Sequence, residues 1–111
     1  MAKQDILKII EPIRSAQSLL IQAGRNSTDP VAIMKISMEY SQLDSYLSQL
    51  LHTQTIQDDI DFVNATAALK AQASTLQIEE DNIKVIISDV SLASKIIGYI
   101  SEAVVLAMKY L

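Results

Sequence analysis

Two acidic clusters are the groups in this chain whose residue types could support cation chemistry. Asp58, Asp59 and Asp61 form the first cluster, and residues 79–81 (Glu-Glu-Asp) form the second. A calcium loop of the EF-hand kind needs a glycine at its sharp turn and a bidentate glutamate at its end, and the first cluster has neither. Negative charge is favourable at a helix N-terminus, so we interpret both clusters as helix starts. For residues 79–81 a recognition role stays open, because three adjacent acids exceed what a cap requires.

The residue sets that bundle enzymes and metalloproteins use are not evident in the sequence. The chain has no cysteine and a single histidine, His52, which has no acid three residues before it, as a di-iron site would need. A favourable interaction with a helix C-terminus explains His52 more simply. Tyr40 and Tyr46 fit amphipathic core positions better than acid catalysis. We therefore predict no catalytic residues, no metal, no cofactor and no enzymatic activity.

Charge and hydropathy narrow the classes of partner and location. The net charge is −4 and the nine lysines and arginines form no cluster, so a nucleic-acid partner is not expected. The start of the chain, Met-Ala-Lys-Gln-Asp, lacks the apolar run of a signal peptide. Each uncharged stretch is far shorter than the ~20 residues that cross a bilayer. These features predict a cytoplasmic protein, with signal-less export open.

The spacing of apolar residues predicts an all-α fold in a single helical domain over residues 1–111. The chain contains only two glycines and two prolines, and it shows no strand-like alternation between turn residues. Helices are expected at about 3–23, 30–51, 56–78 and 82–111, and their short connections favour a four-helix up-down bundle. The alternative is that helices three and four continue as one rod, giving a long coiled-coil hairpin protomer.

The first two helices have the clearest boundary signals. An unbroken apolar stripe crosses Pro12, which favours a kink there over a separate N-terminal arm. Gly24 is expected to end the first helix in a left-handed conformation. Asp29 followed by Pro30 predicts an N-cap and a first helical position at the start of helix two.

The later boundaries are weaker. Thr55 followed by Asp58 resembles a capping box for helix three. The break between helices three and four is placed at residues 79–82 on charge alone, because an acidic run suits a helix N-terminus and not a C-terminus. Glu80 also falls where the helix-three stripe calls for an apolar residue.

The last helix carries two apolar stripes where a surface helix carries one. The first stripe is Ile86, Val90, Ala93, Ile97, Ile100, Val104, Ala107 and Leu111, and the second is Val85, Leu92, Ile96, Tyr99, Ala103, Leu106 and Tyr110. The stripes lie about 100° apart around the helix. Such a helix is either central in its fold, contributing the most buried surface, or it gives its second face to a partner or to lipid.

The double stripe, together with the missing catalytic sets, predicts a non-catalytic protein–protein interaction module of bacterial type. An immunity protein, a secretion accessory and an oligomeric adaptor all fit, with another protein or a second copy as the partner. The expected partner-binding residues are Leu92, Ile96, Tyr99, Ala103, Leu106 and Tyr110. A membrane-active helical subunit is the alternative and is less favoured, because a lipid-binding helix usually carries more basic residues.

Overall fold

A computed structural model of the protein describes residues 4–111 as four α-helices with no strand among them. The helices are α1 (Asp5–Asn26), α2 (Pro30–Thr55), α3 (Asp59–Ile86) and α4 (Val90–Tyr110). Each helix packs on its neighbours in the chain, and α4 closes the ring on α1. This arrangement confirms the predicted all-α four-helix bundle, and the turn after α3 excludes a continuous rod of helices three and four.

Aspartates cap three of the four helices. The Asp29 carboxylate accepts a hydrogen bond from the Val31 backbone N–H at 3.0 Å, and Pro30 occupies the first helical position, as predicted. Asp58 accepts from the Asp61 N–H at 3.0 Å, so α3 starts one turn later than the capping box suggested. Thr55 instead ends α2, where its hydroxyl donates to the His52 carbonyl.

The predicted break at residues 79–82 is wrong, because α3 continues through it to Ile86. The N-cap of α4 is Asp89, whose carboxylate accepts a hydrogen bond from the Leu92 N–H at 3.1 Å. The favourable effect of an acidic run on a helix dipole is about 0.3–1 kcal/mol. Burying a side chain such as Ile83, which is fully buried on the continuing helix, contributes about 1.5–3 kcal/mol.

The first helix ends later than predicted. Residue 3, its expected start, lies outside the described residues, and the helix continues past Gly24 to Asn26. Gly24 has no positive φ, so the left-handed terminus predicted there is wrong. Pro12 is buried inside a continuous α1, which excludes the separate N-terminal arm.

The apolar core is built most heavily from α1 and α4, the two helices that pack most extensively on each other. Both stripes of α4 enter it: Ala93, Ile100, Val104 and Ala107 from the first, and Leu92, Ile96 and Ala103 from the second. The width of the apolar surface follows from geometry, because α4 packs on α1 along one side and on α3 along the other. α1 has nine buried residues and α4 has seven. The expectation that α4 contributes the most buried surface area stays a prediction.

Candidate functional site: a polar groove between α2 and α3

The six residues predicted to bind a partner do not form one open surface. Leu92, Ile96 and Ala103 are buried against the rest of the bundle. Tyr99 is 37 % exposed and lies beside α1. Leu106 and Tyr110 are half-buried.

The side chains that could have bound cations have structural roles. Asp58 is the N-cap of α3, with Asp59 and Asp61 in the first turn, and His52 lies in the last turn of α2. Residues 4–111 contain no group of three or more His, Cys, Asp or Glu side chains arranged to hold a metal ion.

A groove of about 390 Å³ runs between α2 and α3, the two neighbouring helices that pack least extensively on each other. Helical spacing of three and four residues places one row of side chains from each helix along it. We call it the α2–α3 groove. Its lining residues are Gln42, Ser45, Tyr46 and Gln49 from α2, and Gln72, Thr75, Leu76, Ile78, Glu79 and Asn82 from α3.

Tyr46 joins the two helices beneath the groove. Its hydroxyl donates a hydrogen bond to the Leu69 carbonyl oxygen at 2.9 Å, and the side chain is buried. Burial raises the pKa of Tyr46 to about 12, so the phenol stays protonated and keeps donating at every physiological pH. Tyr46 therefore acts as a neutral cross-link between α2 and α3.

Two glutamates are buried at one end of the α2–α3 groove. Glu79 is 4 % exposed and lines the groove, and Glu39 is 6 % exposed on the facing helix. The Asn82 side-chain amide donates to one Glu39 oxygen at 3.1 Å. The Oε2 atoms of both glutamates are buried and have no hydrogen-bond partner among residues 4–111. Buried polar atoms are nearly always paired, so two adjacent exceptions require an explanation.

The protonation of this pair follows from its surroundings. Burial, followed by the nearby charge of Glu39, raises the pKa of Glu79 to about 8. Burial also raises the pKa of Glu39, and the hydrogen bond from Asn82 opposes that shift. Among residues 4–111 the one ion pair joins Lys8 to Asp5, so neither buried glutamate is neutralised by a basic side chain. Near neutral pH Glu79 is therefore mainly protonated.

The three adjacent acidic residues 79–81 lie in three different environments. Glu79 turns toward α2, whereas Glu80 accepts a hydrogen bond from the Ser101 hydroxyl of α4 at 2.6 Å. Asp81 is exposed. Successive residues of a helix are about 100° apart, which explains the divergence.

Helical phase carried a signal for Glu79 and Glu39 that the sequence analysis missed. Glu79 lies three residues after Leu76 and four before Ile83, which places it on the buried side of α3. Glu39 lies in the same relation to Ile36 and Leu43 on α2. An acid at a position flanked by buried apolar residues on both sides indicates a buried carboxylate, provided that the helix is known to continue.

Comparisons with known proteins identify no relative of this chain. No protein-family model matches the chain, and no curated protein or solved structure matches it either. By length and composition α4 is the one described helix that could cross a membrane, but 39 % of its apolar window is buried inside the bundle.

Proposed function

We propose that this chain is a non-catalytic helical protein–protein interaction module whose partner binds in the α2–α3 groove. The observation that carries the proposal is the pair of buried carboxylate oxygens, on Glu39 and Glu79, that the fold leaves without partners. The surface predicted on α4 is a weaker candidate, because Leu92, Ile96 and Ala103 already serve the core.

The chemistry of the groove supports a peptide partner. Its rim presents the amides of Gln42, Gln49 and Gln72 and the hydroxyls of Ser45 and Thr75, all exposed. Amide and hydroxyl groups both donate and accept hydrogen bonds, so they can pair with a polypeptide without a fixed charge pattern. An intracellular partner in the cytoplasm fits the location expected from the sequence.

Apolar side chains beside the rim give the same surface an anchor region. Ile78 lines the groove and is 64 % exposed, and Met38 on α2 is exposed as well. Interfaces combine an apolar centre with polar groups around it, and exposed apolar patches mark such sites.

Site-specific photo-crosslinking in cells of the source organism tests the proposal. A photoreactive phenylalanine analogue at Gln49 places the reactive group in the groove, and the same analogue at Gln22, exposed on α1, is the matched control. We expect a defined covalent adduct from position 49 and not from position 22. A Ser45→Arg change in the same chain should abolish the adduct by filling the groove.

Light scattering across a hundredfold concentration range then separates the two kinds of partner. A concentration-dependent dimer whose crosslink joins two copies identifies the chain itself as the partner. A monomer with a heavier adduct identifies a foreign protein. Identical crosslinks from positions 49 and 22, or none from position 49, would overturn the proposal.

A membrane-active subunit is the second candidate, favoured by the apolar length of α4. It requires α4 to leave the core, because Ile96, Ile100 and Ala103 are fully buried in the closed bundle. Co-sedimentation with liposomes that persists at high salt would support this candidate, since apolar burial and not charge would drive it. A chain that stays in the supernatant at every salt concentration would exclude it.

A further inference from the structure

We propose that the α2–α3 groove is a recognition site for an arginine side chain of the partner, with the Glu79 carboxylate as the group that pairs with the guanidinium. The inference deepens the proposed function and rests on it. Glu79 lines the groove, is 4 % exposed and has a buried oxygen without a partner. A cation that reaches this oxygen supplies the hydrogen bond and the charge that the fold omits.

The electrostatics of the site favour a cation. Glu79 and Glu39 face each other across α2 and α3, and their interaction disfavours the doubly ionised pair. The basic residues of these two helices, Lys35, Lys70 and Lys84, are exposed and form no ion pair. Within residues 4–111 no basic side chain pairs with either glutamate, so a cationic ligand would supply their counter-charge.

The lining favours an arginine over a metal ion. No group of three or more His, Cys, Asp or Glu side chains within residues 4–111 is arranged to hold a metal ion. A guanidinium presents five N–H donors in a planar fork, which suits a carboxylate in a groove that the polar side chains of Gln72, Thr75 and Asn82 also line. Ile78, which lines the groove and is exposed, offers apolar surface to the methylene stem.

The carboxylate of Glu79 favours a guanidinium over the ammonium of lysine. A guanidinium forms bidentate pairs with a carboxylate, whereas an ammonium is a strongly hydrated point charge.

Nuclear magnetic resonance on the ¹⁵N-labelled full chain tests the inference with capped arginine (N-acetyl-arginine N-methylamide) as the probe. Capped citrulline is the matched control, because it has the same shape without the charge. We expect capped arginine to shift the side-chain amide signals of Asn82 and Gln72 in a saturable way. Capped citrulline should bind at least tenfold more weakly.

Two variants locate the effect. Glu79→Gln keeps the shape of a side chain that is mainly neutral near pH 7, so the bundle stays folded. The variant should lose the preference for capped arginine over capped citrulline. Asp81→Asn, at an exposed position two residues along α3, should keep that preference. Equal binding of the two probes, a preference that survives Glu79→Gln, or tighter saturation of the same signals by calcium chloride would overturn the inference.

The outcomes also separate this inference from the proposed function. A specific crosslink at Gln49 without a preference for arginine would mean that a partner binds the groove by other contacts. A preference for arginine that depends on Glu79, without any crosslink at Gln49, would retain the guanidinium site and reject the protein partner.

Discussion

The α1–α4 pair and the α2–α3 pair form opposite sides of the bundle, and they bury different chemistry. Gln17 is the one buried polar side chain that the described part of α1 and α4 contributes. The α2–α3 pair buries Glu39, Thr53, Thr66 and Glu79. The apolar pair also packs more extensively than the polar one.

The difference separates residues that stabilise the bundle from residues available for recognition. Apolar burial in α1 and α4 contributes favourable free energy without directional requirements. Burying a carboxylate without a full set of partners costs free energy, and apolar replacements at such sites are often neutral or stabilising. The buried carboxyl groups of Glu39 and Glu79 are therefore unfavourable for folding, and the recognition that we propose would give them a role.

A large expected effect separates the core from the groove. Ile100→Ala removes a fully buried side chain of α4 and should lower the free energy of unfolding by about 2–5 kcal/mol. Ile78→Ala, at an exposed groove position, should change it by less than about 0.5 kcal/mol. Urea unfolding followed by circular dichroism measures both free energies. Similar losses in the two variants would contradict the division between the apolar core and the groove.

The same assay decides the role of the second α4 stripe. Because Ile96 is fully buried, an Ile96→Asp, Leu106→Asp double change should unfold the bundle and abolish its helicity. Full helicity with lost self-association would instead return the partner surface to α4.

The next expected effect is a dependence of the free energy of unfolding on pH, which arises from Glu79 in the α2–α3 pair. In the unfolded chain Glu79 ionises near its ordinary value of 4.5, whereas in the bundle its pKa is about 8. Between these values the folded chain binds more protons than the unfolded chain, so stability falls as pH rises, by up to about 1.4 kcal/mol per pH unit. The loss is complete once pH exceeds about 8, where both states are ionised.

Glu79→Gln should remove this contribution and make the chain more stable than the wild type at pH 9. The measurement is the urea midpoint at half-unit steps from pH 5 to pH 9. Asp81→Asn is the control, because Asp81 is exposed and its replacement should leave the slope unchanged. An equal slope in wild type and Glu79→Gln would mean that Glu79 ionises normally.

The smallest effect concerns the cross-link beneath the groove. Tyr46→Phe deletes the hydroxyl that donates to the Leu69 carbonyl and should cost about 0.5–1.5 kcal/mol. Tyr99→Phe, on a partly exposed ring of α4, should cost much less. Thermal unfolding of the two variants side by side measures the difference. Equal melting temperatures would mean that the Tyr46 hydroxyl stabilises the bundle no more than the Tyr99 hydroxyl does.

The fold could be predicted from the sequence because its strongest signals agree with one another. The stripe Ile6, Ile9, Ile13, Ala16, Leu20 and Ala23 is buried throughout. Asp29 and Pro30 begin α2 as their chemistry requires. The apolar periodicity was less reliable near the starts of helices. There Ile33, Ile60 and Val63 lie nearly in phase with the buried stripe of their helix, but they are exposed.

The candidate site could not be predicted, because it depends on a boundary that local residues do not determine. Neither glycine nor proline separates α3 from α4, and the acidic residues 79–81 imitated a helix start. Because the break was predicted at these residues, Glu79 was not recognised as part of the buried face of α3. The two stripes of α4 posed a different problem, because a helix with two neighbours in its own chain has the same sequence pattern as one that binds a partner.

The closure of the ring by α4 on α1 has a consequence for the order in which the protein folds. Helical hairpins such as α2–α3 join segments that are near in sequence, and local contacts form quickly. The apolar face of α1 must instead wait for α4, which leaves the ribosome last of the described helices. During synthesis Ile6, Ile9 and Ile13 therefore lack their final neighbours, and this interval is when the nascent chain is most exposed to aggregation and most in need of a chaperone.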